Sequence, residues 1–350
     1  MKAFIIQKPN CVEMQEVEKP VAAPDEAIVR VAYAGMCATD LAILSGDMSL
    51  IRNGSIRFPV RFGHEWAGVV ESVGAEVTDL KPGDRVISES GVTCGKCEAC
   101  QQQRWADCPD IKSVGTVNCW DGAFAEYMHV PARHLTKIPD NISLREAAVI
   151  EPSCIALAGV TGCNVSAGKT VLVVGTGAIG MAAVALSKYY GAEYVVLSGR
   201  TDEKLAVGKQ MGADQVLNVT RESVMEFVKK QPAGFGFDVV IETSGNIQAV
   251  GECLEAARYG GHIGLIGFYE KTVPQFAIDE IVMKSLNVHG IMGRFGMPAQ
   301  MLEVLNSGKV DLKPLITHEI PFEETAEAMQ DMGRFGKNRI KLLVKISDLD

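Results

Sequence analysis

The chain has 350 residues, 47% of them hydrophobic and 22% charged, which suits a water-soluble protein long enough for two cores. A formal net charge of −9 with no concentrated basic face argues against a nucleic-acid partner. The apolar run near Met1 is too short for a signal-peptide core, so ten cysteines without such a signal predict a cytoplasmic protein that uses thiols as ligands.

The first half reads as strands. KAFII, AIVRVAYAG, EWAGVVESVG and DRVIS are short, partly alternating, and divided by turn chemistry such as Lys81-Pro82-Gly83-Asp84. Two segments at their ends, Gly35-Met36-Cys37-Ala38-Thr39-Asp40 and Gly63-His64-Glu65, join Glu151-Pro152 further on as a possible metal site. One thiolate, one imidazole and one or two carboxylates suit zinc, with room left for water or substrate. Each segment alone has a plainer reading, because a lone cysteine is usually core and a lone histidine usually structural.

Between them stand Cys94, Cys97, Cys100 and Cys108, whose two successive CxxC steps let four thiolates converge on one tetrahedral zinc. Such a site is closed, so it should hold a loop and do no chemistry. The following Pro109 echoes a ferredoxin cluster motif, but that motif needs a shorter final spacing than Cys100 to Cys108.

From about Thr170 the rhythm changes. TVLVV, YVVLS, QVLNV, FDVVIE, HIGLIG and LNVHGI are apolar strand candidates, mostly separated by helical stretches, which predicts an α/β doubly wound parallel sheet. The uncharged stretch between Lys169 and Lys188 is no membrane span, since Gly175, Gly177 and Gly180 interrupt it as GxGxxG between a strand and a helix. These glycines suit a tight turn, a close approach to a pyrophosphate and close helix packing. At the end of the second strand Gly199 stands where an NAD site commonly has an acid. Ser198 offers a hydroxyl, Arg200 a fork for a 2′-phosphate, and Lys204 a second cation, so NADP is expected over NAD; Asp202 keeps the NAD reading open. After Gly290 a helix (MPAQMLEVLNSG) and a strand (IKLLVKI) have no place that periodicity assigns.

In this order GMCATD, GHEWAGVVESVG, LKPGDRV, the four-cysteine lobe, DGAFAEY, IEP, GTGAIG and SGKVDLKPLITH resemble the zinc-dependent medium-chain dehydrogenase family, its sorbitol (polyol) and threonine dehydrogenase branch. The resemblance covers nearly the whole chain. It implies a GroES-like β-rich catalytic domain at 1–153, a Rossmann domain at 154–288 and a return to the catalytic domain at 289–350. It also implies two zinc ions per chain and hydride transfer between a secondary hydroxyl of a polyol or sugar and NADP(H), or carbonyl reduction in reverse. Cys37 and His64 are the implied ligands of the catalytic zinc, Glu65 and Glu151 compete for the remaining contact, and Thr39 matches the hydroxyl that relays the substrate proton. Many relatives end that relay at a histidine where this chain has Ala42. Trp120 and Arg294 fall in loops that line the substrate cleft in relatives. Relatives form dimers and tetramers, so a homodimer or homotetramer is expected. Threonine oxidation, suggested by SVGTVN and GIMGR, and a polyol phosphate held by Arg52, Arg57 and Arg61 are the enzymatic alternatives; a nucleotide-binding regulator without turnover is the other class.

Overall fold

The computed structural model describes residues 1–230, 236–270 and 277–349. Its larger sheets divide the chain as the two rhythms of the sequence do. The strands Thr170–Val174, Tyr194–Gly199, Gln215–Asn218, Phe237–Glu242, Ala257–Leu265 and Asn287–Gly290 form one parallel sheet. In space Thr170–Val174 lies between Tyr194–Gly199 and Phe237–Glu242, with the first three strands running outward on one side and the last three on the other. Strand order therefore reverses beside GTGAIG, at the crevice where such sheets bind dinucleotides.

The apolar runs are explained by burial on both faces. Leu172, Val196, Val240 and Ile263 lie side by side in register and enter one hydrophobic cluster. Their strand neighbours Val171, Val173, Val195, Leu197, Val239 and Ile241 point the other way into a second cluster, as a period of two requires. Helix Ala178–Tyr189 packs there against helix Ile150–Gly162. The latter helix runs unbroken through the expected division at 153/154.

The other large sheet holds Glu26–Met36, Glu65–Val73, Arg85–Ser88, Tyr127–Pro131, Leu135–Lys137, Ile316–Pro321 and Lys341–Lys345. The segment that periodicity could not place returns here: Lys341–Lys345 lies antiparallel to Glu26–Met36, with Leu343 opposite Gly35. On its other side Gly35 faces Glu65, so three strands bring Cys37, Glu65 and Lys341 to one corner. A separate cluster with Phe4, Phe62, Phe124 and Met128 fills this half.

Candidate active site and metal centres

Strand Glu26–Met36 ends at Cys37, which caps helix Ala38–Ser45. The Cys37 backbone N–H donates to Asp40 Oδ2 at 2.9 Å, fixing a fully buried carboxylate at the helix start. The other oxygen of Asp40 stands 3.7 Å from His64 Nδ1, and both atoms are buried without a hydrogen-bond partner among the described residues. Gly63 precedes it at φ 97, pressed against the Phe124 ring, so only glycine delivers His64 here. The donor atoms of Cys37, His64 and Glu65 lie within 4.8 Å of one another. Thr39 Oγ1 is 3.7 Å from Cys37 Sγ.

The two carboxylates are held differently. Glu65 accepts from Lys341 Nζ at 2.7 Å, and its carboxylate fills the space that a side chain at position 35 would need. Glu151 begins helix Ile150–Gly162 and accepts from Ser90 Oγ at 2.7 Å; it borders the cleft, outside the three-residue cluster. Burial raises the Glu151 carboxyl, with His64 opposing. Burial pulls His64 down, but Cys37 and Asp40 outweigh it and lift the imidazole well above its ordinary value. The thiolate, imidazole and carboxylate donors fit zinc.

The four-cysteine lobe also fits. Zinc–sulfur bonds in a tetrahedron set sulfurs about 3.8 Å apart. Here Cys94 and Cys100 sulfurs are 3.9 Å apart, Cys97 and Cys100 3.4 Å, and all four, Cys108 included, lie within 4.8 Å. Backbone N–H groups of Cys97 and Cys94 point at Cys94 Sγ and Cys108 Sγ, as donors stabilising thiolates do.

A cleft of about 620 Å³ opens beside the first cluster, lined by Cys37, Thr39, His64, Glu65 and Glu151. Ile155, Ile179, Ile266 and Ile291 form its apolar wall, and Arg294 and Glu89 supply charge. Burial pushes the Glu89 carboxyl up to about 7, against a 2.7 Å hydrogen bond from the Gly296 N–H. Trp120 is not among the residues lining this cleft: its indole donates to the His129 carbonyl at 2.8 Å, and its ring lies 4.6 Å from the His129 ring at a tilt of 36°. Arg52, Arg57 and Arg61 do not line the cleft either; they contact Asp47 and Glu270, the Gly54 carbonyl, and Asp121.

At the parallel sheet, Gly175 turns at φ 111 and Gly177 caps helix Ala178–Tyr189. A side chain at Gly180 would overlap the Gly175 carbonyl, whereas one at Gly177 would meet open space. Position 199 abuts Thr176, so a side chain there would displace it. Ser198 is buried, with its hydroxyl donating to the Val173 carbonyl at 3.5 Å. Asp202 is claimed by Arg221 and Asn218 at 2.8 Å and held at about 2, chiefly by Arg221. Arg200 is exposed and without a partner among the described residues; Lys204 is half-buried.

Neither Lys341 nor Ser90 is legible in the sequence as a partner of the carboxylates, because Lys341 is 276 residues from Glu65 and Ser90 is 61 from Glu151.

A family model described as the alcohol dehydrogenase GroES-like domain matches residues 23–140, and one described as zinc-binding dehydrogenase matches 178–307. The chain is 31% identical over 344 residues to a sorbitol dehydrogenase of Bacillus subtilis (strain 168), covering 98% of this chain and 97% of that one. It is 35% identical over 331 residues to an L-threonine 3-dehydrogenase of Chromobacterium violaceum, covering 93% and 94%. A crystal structure assigned as a zinc-binding dehydrogenase from Sinorhizobium meliloti 1021, bound to NADP, superposes with TM-score 0.89 at 28% identity and 99% coverage of both chains.

Proposed function

The chain belongs to the zinc-dependent medium-chain alcohol dehydrogenase family, and on that premise we propose that it moves hydride between a secondary hydroxyl of a polyol or sugar and NADP(H). The observation that carries this reading is the convergence of Cys37, His64 and Glu65 on the wall of a cleft that also reaches Ile179, in the helix behind the GTGAIG turn.

Zinc at the cleft would supply Lewis acidity that favours the deprotonated form of a substrate hydroxyl. Cys37 and His64 would hold it, with Glu65 or Glu151 as the further donor. Asp40 sets a carboxylate beside His64, Ser90 donates to Glu151, and Lys341 balances the charge of Glu65. Thr39, in the lining of the cleft, would pass the substrate proton outward, and the isoleucine wall would keep water from the reacting carbon. A second zinc would be held by Cys94, Cys97, Cys100 and Cys108.

NADP is favoured because position 199 has no room for an acid without moving Thr176, Asp202 is taken by Arg221, and Arg200 is free to meet a phosphate. We assign 1–153 and 289–350 to the catalytic part and 154–288 to the cofactor part, with the pairing of Lys341–Lys345 on Glu26–Met36 in support. Strand Asn287–Gly290 has no partner on its outer edge among the described residues, and Ile278, Val282, Met283 and Val288 are exposed nearby. This edge is where a second copy would extend the sheet into a homodimer, which sedimentation equilibrium measures directly. No helix among the described residues is long and apolar enough to cross a membrane.

Threonine oxidation is the second reading, favoured by Arg294, which lines the cleft as a cation able to take a carboxylate. Zinc content per chain with NADP(H) and NAD(H) turnover on polyols, ketoses, polyol phosphates and threonine decides between them. Two zincs with polyol turnover support the proposal. Cofactor binding without turnover on any substrate would leave a nucleotide-binding regulator.

A further inference from the structure

Glu89 is a buried carboxyl in the cleft that the chemistry described above does not use. It follows strand Arg85–Ser88, lines the cleft and is only 9% exposed. Its backbone N–H donates to the His134 carbonyl at 2.9 Å, and its Oε1 accepts from the Gly296 N–H at 2.7 Å, across 207 residues of chain. Burial raises the carboxyl and that N–H lowers it, with no cation paired to it among the described residues. A carboxyl taken out of water without a counter-charge is costly, and this one spends its hydrogen bond on the backbone at the start of a helix.

Gly296 stands at φ 83 before helix Met297–Asn306, which has no side-chain cap. Ahead of it residues 291–295 run without helix or strand and line the cleft along their whole length. Over residues 292–296 the Gly296 N–H is the one backbone donor with an acceptor among the described residues. Glu89 therefore places a segment that neither sheet nor helix holds. A second brace is the Phe295 ring, 5.3 Å from Trp105 in the four-cysteine lobe and 5.7 Å from His134. That ring lies so close over Gly91 that a Cβ there would be 2.6 Å from it. Beside these braces Arg294 reaches helix Ile150–Gly162, where a Cβ on Gly162 would be 3.3 Å from its Nη2. Arg294 lines the cleft with no hydrogen-bond or ion-pair partner among the described residues, so its donors are left for a hydroxyl or a carboxylate.

We propose that Glu89 is a positioning residue: by holding Gly296 it fixes the backbone two residues earlier, from which Arg294 meets the substrate. This rests on the dehydrogenase reading above. Arg294 touches the substrate and Glu89 acts through it, so substrate selection is set from the strand that leads into the four-cysteine lobe. A small displacement of a binding group is enough to weaken its contact severely, which gives the Glu89–Gly296 hydrogen bond a functional weight beyond its own strength.

The test compares zinc-loaded wild type, Glu89→Ala, Glu89→Gln, Arg294→Ala and the double variant Glu89→Ala/Arg294→Ala. Steady-state kinetics with NADP use sorbitol and L-threonine as probes, beside amide hydrogen exchange over residues 291–297. Glu89→Ala should raise KM for the probe that wild type turns over by about tenfold, with kcat changed less than about twofold, and should speed exchange at Gly296. Glu89→Gln keeps an acceptor for the N–H and should recover most of both losses. Once Arg294 is alanine, removing Glu89 should raise KM no further, because its effect passes through that side chain. A merely structural Glu89 would lower the melting temperature and leave KM alone. A KM within twofold of wild type in Glu89→Ala, equal losses in Glu89→Ala and Glu89→Gln, or an unprotected Gly296 N–H in wild type each overturn the inference; the last needs no variant to fold. Turnover of neither probe by wild type overturns the polyol and threonine readings instead, and exchange at Gly296 still decides whether Glu89 holds the segment.

Discussion

Lys341 Nζ sits 2.7 Å from Glu65 Oε1 with both side chains almost wholly buried, joining the last strand of the chain to the candidate zinc site. The ammonium also donates to the Met36 carbonyl at 3.2 Å, one residue before Cys37. A single lysine thus fixes the carboxylate and the backbone that delivers the thiolate.

Lys341→Met should therefore destabilise the fold by about 3–5 kcal/mol, because it leaves a buried carboxylate without its counter-charge. Adding Glu65→Gln should recover a large part of that loss. Urea unfolding of both single variants and the double variant reads the coupling, and additive losses would show that the pair is not the cause.

The Glu89 carboxyl, raised by burial to about 7, gives a pH signature. Its folded value lies above the ordinary one of 4.5, so its contribution to stability is complete below that value and fades as pH rises through 7. Glu89→Gln keeps an acceptor for the Gly296 N–H and removes the ionisation cost. The variant should gain up to about 3 kcal/mol relative to wild type between pH 5 and 9. Thermal melts across that range check it; a difference that does not change with pH would count against the buried, ionisable Glu89 described here.

The two metal sites should separate by substitution. Cys100→Ser breaks the set of four sulfurs and should lose one zinc together with several degrees of melting temperature. Cys37→Ser should stay folded while turnover falls by about a hundredfold or more. Metal analysis beside melting curves distinguishes them, and full activity in Cys37→Ser with native zinc would sink the catalytic assignment.

The glycines of the turn should respond oppositely. Gly180→Ala drives a methyl into the Gly175 carbonyl and should cost about 1–3 kcal/mol of stability. Gly177→Ala meets no protein atom, so melting should hardly change while NADP binding weakens by about tenfold, its methyl intruding where the phosphate approaches. Melting and binding measured on the same two preparations decide this.

Elements whose signals are local were legible in the chain of residues alone. Periodicity identified the six parallel strands, because a sheet covered on both faces needs continuous apolar runs. Spacing identified Cys94, Cys97, Cys100 and Cys108, because one short loop carries all four sulfurs. The turn Gly175 to Gly180 was legible for the same reason. Tertiary structure alone distinguishes Glu65 from Glu151, since Lys341 comes from the last strand and Ser90 from the bend after Arg85–Ser88, and no local pattern records such meetings. It also turned Trp120 onto His129 and Ser198 into the sheet, two polar side chains whose hydrogen bonds are chosen by what folds against them. Local chemistry is written in neighbouring residues; charge balance at a buried site depends on which strands pair across the whole chain.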